Sequence, residues 1–89
     1  MASHCEISIV IPVFNEAQNL AEVLAKIRAL ELAQAEIIVV DDGSSDGTAD
    51  IALNAGANVI RHPYNIGNGA AVKSGMRAAR GRLILLMDG

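Results

Sequence analysis

The chain has 89 residues, 52% of them hydrophobic and 2% aromatic, with seven Lys and Arg against ten Asp and Glu for a net charge of -3. That length allows one domain, a pI near 5.1 argues against general nucleic-acid affinity, and the longest apolar runs fall far short of the ~20 residues of a membrane span. A single cysteine, Cys5, excludes an intramolecular disulfide, and residues 1–6 show no basic region leading into an apolar one, so the expectation is a cytoplasmic chain without a secretory signal.

Residues 6–13 (EISIVIPV) form a near-continuous β-branched run, the pattern of a strand buried on both faces. Pro12 cannot donate to a ladder, so it is expected to mark the end of this strand and the start of its loop. Asn15 is expected to cap a helix over 16–30, with Gln18 as the reciprocal partner. Leu20, Val23, Leu24, Ile27 and Leu30 recur on one face of that helix.

A second buried strand is predicted over 36–41, ending in Asp41-Asp42-Gly43. The stretch Ser44-Ser45-Asp46-Gly47-Thr48 supplies turn and cap chemistry for a shorter helix that Gly56 closes in a left-handed conformation. Residues 58–61 read as a short third strand at a sheet edge. The loop Asn65-Ile66-Gly67-Asn68-Gly69 then leads into a helix that runs to about Arg80. Its Ala70, Ala71, Ser74, Gly75 and Ala78 let the backbone lie close to the sheet. Gly81 is expected to cap it, and 82–87 form a fourth strand ending at Asp88.

The alternation implies an α/β fold: a three-layer, Rossmann-like parallel sheet of four strands in the order 3-2-1-4, with three helices. Residues 12–16, Asp41-Asp42 and Asp88 then gather on one rim, at the carboxyl ends of the strands, where such sheets bind nucleotides.

Two adjacent acids exceed what a helix cap needs, so Asp42 is read as a ligand contact and Asp41 as structural. The glycines at 67 and 69 follow the third strand, whereas a dinucleotide fingerprint opens off the first. Packing of the helix on the sheet is therefore as good a reading of them as phosphate contact, and an NAD-binding half is disfavoured. Lys73 and Arg77 share a helix face, which is more often solvated than a phosphate site. His4, Cys5 and His62 have no metal-ligand spacing. Asp88 gains meaning beside Asp42 and Glu16, where several carboxylates suggest a divalent cation bridging a diphosphate.

Four segments together resemble family 2 of the inverting glycosyltransferases, in the branch similar to dolichyl-phosphate mannosyltransferases. They are Ile9-Val10-Ile11-Pro12-Val13-Phe14-Asn15-Glu16, Val39-Val40-Asp41-Asp42-Gly43-Ser44-x-Asp46-Gly47-Thr48, Asn65-x-Gly67-x-Gly69-x-Ala71 with Gly75, and Leu86-Met87-Asp88. The resemblance implies a truncated GT-A fold, with residues 1–89 as a single partial domain, the nucleotide-sugar-binding half. It implies that Pro12, Phe14, Glu16, Val40 and Asp42 line the nucleoside pocket. It also implies that Asp88 opens an Asp-x-Asp motif holding Mg2+ or Mn2+ on the diphosphate of a GDP- or UDP-sugar. The second acid of that motif would follow Gly89, and no catalytic residue is expected within these 89, so the chain alone is expected to be inactive. Phe14 stands where a tyrosine is often found, which removes a hydroxyl. The implied acceptor is a polyprenyl phosphate at the cytoplasmic face of a membrane. A non-catalytic nucleotide-binding module is the alternative. An apolar edge over 83–87 is expected to favour self-association.

Overall fold

The computed structural model describes residues 5–87. Its elements run β1 (Ile7–Val13), α1 (Ala17–Ala29), β2 (Ala35–Asp41), α2 (Thr48–Asn54), β3 (Asn58–Arg61), α3 (Asn68–Ala78) and β4 (Leu83–Leu86). The four strands form one parallel sheet in the order β3-β2-β1-β4, as the alternating pattern predicts.

Strand alternation divides the core in two. Ile9, Ile11, Val13 and Val39 meet Leu20, Leu24 and Ile27 of α1 and Ala52 of α2 on one face. Val10, Ile38 and Val40 meet Ala71 of α3 on the other. The second face is thin because α3 lies unusually close to the sheet. A Cβ added at Gly75 would sit 2.3 Å from Val10 Cγ1 and 3.2 Å from Val40 Cγ2. A residue without a side chain at position 75 is therefore a packing requirement.

Three local expectations need correction. Pro12 does not end the first strand: pairing continues through Pro12↔Val40 and Val13↔Asp41. Val10 accepts from Met87 N at 3.0 Å on the β4 side, and Val13 accepts from Asp42 N at 2.9 Å on the β2 side. Pro12 shares the orientation of Val10, so its missing N–H falls where β4 has stopped pairing. Gly81 is not a left-handed cap. It marks a close approach, where a Cβ would lie 2.6 Å from Ser8 N. Asn15 is not a helix cap either: the cap position is Glu16, and no side chain of the helix's own start bonds its N-termini.

The donors at the start of α1 are instead satisfied across the sheet by the loop that follows β2. Asn15 N donates to Ser44 Oγ (2.8 Å), Glu16 N to Thr48 Oγ1 (3.1 Å) and Ala17 N to Asp46 Oδ2 (3.1 Å). Asn15, at φ 52°, returns its own Oδ1 to Ser45 N at 2.9 Å. The Thr48 hydroxyl and N–H bond Asp46 Oδ1, which holds that carboxylate in place and lowers its pKa below the ordinary value. The two loops of the carboxyl rim are thus one hydrogen-bonded unit.

Candidate functional site

A cleft of about 360 Å³ opens on the carboxyl rim between the β1–α1 loop and the start of α3. Pro12, Val13, Phe14 and Glu16 form one wall; Asp42, Asn65, Gly67, Asn68 and Ala71 form the other. Phe14 is 46% exposed, an aromatic ring held out from a loop rather than buried in the core. The carboxylate of Glu16 has no hydrogen-bond or ion-pair partner among the described residues and is available to a ligand.

Four of the five expected nucleoside residues therefore meet at one cleft: Pro12, Phe14, Glu16 and Asp42. Val40 does not line it. Its side chain is fully buried under α3 and supports the floor from below. Asp88 lies outside the described residues.

The two acids ending β2 face opposite ways. Asp41 turns to the α1 and α2 side, where Oδ1 accepts from Ser44 N at 3.0 Å and Oδ2 has no hydrogen bond. Arg61 Nε approaches that oxygen to 3.9 Å. Asp42 turns to the α3 side and is 4% exposed. Its Oδ1 accepts from His62 Nδ1 (2.8 Å) and Ile66 N (3.0 Å). Its Oδ2 accepts from Asn65 Nδ2 (3.0 Å) and Gly67 N (2.8 Å). Burial pushes the Asp42 carboxyl up, but the bonds from His62, Ile66 and Gly67 and the attraction of His62 outweigh it, and the pKa lies below the ordinary 3.8.

The glycine loop has a second support. Gly43, at φ 79°, lies under the backbone of Tyr64 and Asn65, where a Cβ would approach Tyr64 C to 2.4 Å. Only glycine satisfies both the left-handed backbone and that contact. From sequence, Ser44 and Thr48 carry turn and cap chemistry and His62 only lacks metal-ligand spacing. Their bonds to Asn15, Glu16, Asp42 and Ser74 arise between elements far apart in the chain.

No three His, Cys, Asp or Glu side chains among the described residues stand close enough together to hold a metal ion. Asp42 already accepts on both oxygens, so the described residues do not by themselves fit a metal. No helix among them is long and apolar enough to cross a membrane.

A family model described as glycosyl transferase family 2 matches residues 8–89, which includes every wall of the cleft. The chain belongs to glycosyl transferase family 2. This family 2 chain is 42% identical over 94 residues to an undecaprenyl-phosphate 4-deoxy-4-formamido-L-arabinose transferase of Pseudomonas fluorescens, covering 96% of the chain and 27% of that protein. It is 38% identical over 98 residues to a dolichyl-phosphate beta-glucosyltransferase of Drosophila melanogaster, covering 93% of the chain and 30% of that protein. Among solved structures it resembles glucosyl-3-phosphoglycerate synthase of Mycobacterium tuberculosis, in a complex with Mn2+, UDP and glucosyl-3-phosphoglycerate. There the TM-score is 0.82 at 30% identity, with 94% of this chain and 33% of that one covered. The family 2 chain spans 27–35% of the length of the curated relatives it matches.

Proposed function

We propose that this chain is the donor-binding part of an inverting glycosyltransferase, which moves a sugar from a GDP- or UDP-linked donor to an acceptor. The observation that carries the reading is the cleft: Pro12, Phe14, Glu16 and Asp42 converge there from two separate strand ends. Phe14 offers a face for a base, and Glu16 offers an acceptor for base N–H or ribose hydroxyl groups. Asp88 is assigned to a divalent cation, Mg2+ or Mn2+, which supplies neutralisation of the departing diphosphate when bound. The names of the relatives support a polyprenyl phosphate as acceptor; action at the cytoplasmic face of a membrane is part of the same proposal. Nothing in the 89 residues is assigned as catalytic base, so the chain alone is expected to bind the donor without transferring its sugar. Self-association through the open β4 edge, where Leu83, Leu85 and Leu86 are exposed, belongs to the same reading.

Titration calorimetry with UDP and GDP, each with and without Mn2+, tests it. Binding of one nucleotide, tightened by Mn2+ in the wild type and not in Asp88→Asn, is the expected result. Failure of both nucleotides to bind at millimolar concentration overturns it.

A further inference from the structure

His62 follows the last residue of β3 and is fastened on every side. Its N–H donates to Asp41 O at 2.9 Å, and the residue is only 8% exposed. Nδ1 stands 2.8 Å from Asp42 Oδ1 and Nε2 stands 2.8 Å from Ser74 Oγ, in the second turn of α3. The Asp42 carboxylate only accepts, so the proton on that side belongs to Nδ1. Nε2 then accepts from the Ser74 hydroxyl when the ring is neutral and donates to it when the ring is charged. The array is complete in either state.

His62 does not line the cleft, and a hydrophobic side chain would fill a buried site of that size at lower desolvation cost. What the imidazole adds is direction. It fixes the rotation of the Asp42 carboxylate, and that carboxylate holds Ile66 N, Gly67 N and the Asn65 amide. Asn65 and Gly67 are two of the cleft's walls. Ser74 bonds the ring from the far side and precedes Gly75, the residue packed on Val10 and Val40, so the array stands beside a close approach of α3 to the sheet.

We propose that His62, braced by Ser74, is a positioning residue for donor binding: through its Nδ1–H it orients Asp42, and through Asp42 it shapes the glycine-loop wall of the cleft. This rests on the donor-binding reading. The chemistry required of position 62 is a donor at the place of Nδ1, and side-chain amides separate that place from the other. Asparagine carries its amide nitrogen near the position of Nδ1, and glutamine carries its own near that of Nε2.

The test therefore compares His62→Asn, His62→Gln, His62→Ala and Ser74→Ala in the full 89-residue chain. Each is measured for UDP and GDP affinity, for thermal stability, and for hydrogen exchange at the Ile66 and Gly67 amides. His62→Asn is expected to keep affinity within about threefold of wild type. His62→Gln and His62→Ala are expected to lose about tenfold, the scale of one hydrogen bond to a charged group. Ser74→Ala falls between. Protection at Ile66 and Gly67 follows the same order, whereas a merely structural role would lower stability in His62→Asn and His62→Gln alike without separating their affinities. Equal affinity and equal protection in those two variants overturns the proposal. Should the wild-type chain bind neither nucleotide, the donor-binding reading fails, and with it the functional part of the proposal. The exchange data would then decide separately whether His62 orients Asp42.

Discussion

The two rims of the sheet use the same device to different ends. At the carboxyl rim, Asp42 at the end of β2 gathers Asn65, Ile66 and Gly67 from the loop before α3. At the amino rim, Glu36 at the start of β2 gathers the loop after α3: its Oε2 accepts from Ser8 Oγ (2.5 Å) and Arg80 N (2.7 Å), and Arg80 Nε lies 3.6 Å from Oε1. Ser8 Oγ in turn accepts from Gly81 N at 2.8 Å. Asp42 is buried and Glu36 half-buried, and each carboxylate is held below its ordinary pKa: burial raises it, and hydrogen bonds more than offset that. The difference lies in what surrounds them. Around Glu36, Gly81 fits so closely against Ser8 that the gap is closed. Around Asp42, the β1–α1 loop and the start of α3 stand apart, and a cleft of about 360 Å³ remains between them. A carboxylate that gathers backbone donors is thus a sign of loop anchoring; only its rim makes it part of a site.

Asp42→Ala removes the anchor of the carboxyl rim. It leaves four donors without an acceptor in a buried place. Stability is expected to fall by about 2–4 kcal/mol in denaturant titration, with nucleotide affinity lost beyond detection. A variant that binds nucleotide as the wild type does would remove Asp42 from the site. Gly43→Ala should follow, at about 1–3 kcal/mol, because its methyl group meets the Tyr64 backbone and displaces the glycine loop. Here the decisive measurement is affinity under conditions where the variant is fully folded, and it should still be reduced.

Glu36→Gln weakens the anchor of the amino rim. It is expected to cost about 1–2 kcal/mol while leaving nucleotide affinity unchanged, and a change in affinity would mean that the two rims are coupled. Acid titration addresses both at once. The folded pKa values of Asp42 and Glu36 lie below the ordinary 3.8 and 4.5, so their stabilisation is fully present above those values. It is lost as pH falls through the folded values. Urea midpoints should be level from pH 7 down to the ordinary carboxyl range and drop below it, with a shallower drop in Glu36→Gln. The smallest effect concerns β4. Leu85→Lys on the open edge should abolish concentration-dependent mass in light scattering with little change in stability; a wild-type chain that is monomeric at high concentration would contradict self-association.

Much of the frame was legible from residue order. Runs such as Ile9-Val10-Ile11 and Ile37-Ile38-Val39-Val40 announce strands covered on both faces, and short connections with right-handed crossovers leave few arrangements besides 3-2-1-4. Gly56 ended α2 at φ 81° as its position suggested. The capping of α1 was not legible, because Asn15 looks like a cap to any local rule, whereas the bonding partners of that helix start lie about 29 to 32 residues downstream.

The sequence by itself determined the architecture and the rim on which a site must form. Both follow from hydrophobic period and chain connectivity, which act over a few residues at a time. Only the tertiary structure decided what each polar group on that rim does. Asp41 and Asp42 are neighbours of the same chemistry, yet strand alternation sends one to each face of the sheet. Which donors each then meets depends on side chains brought up by β3 and α3, at distances that no local pattern encodes.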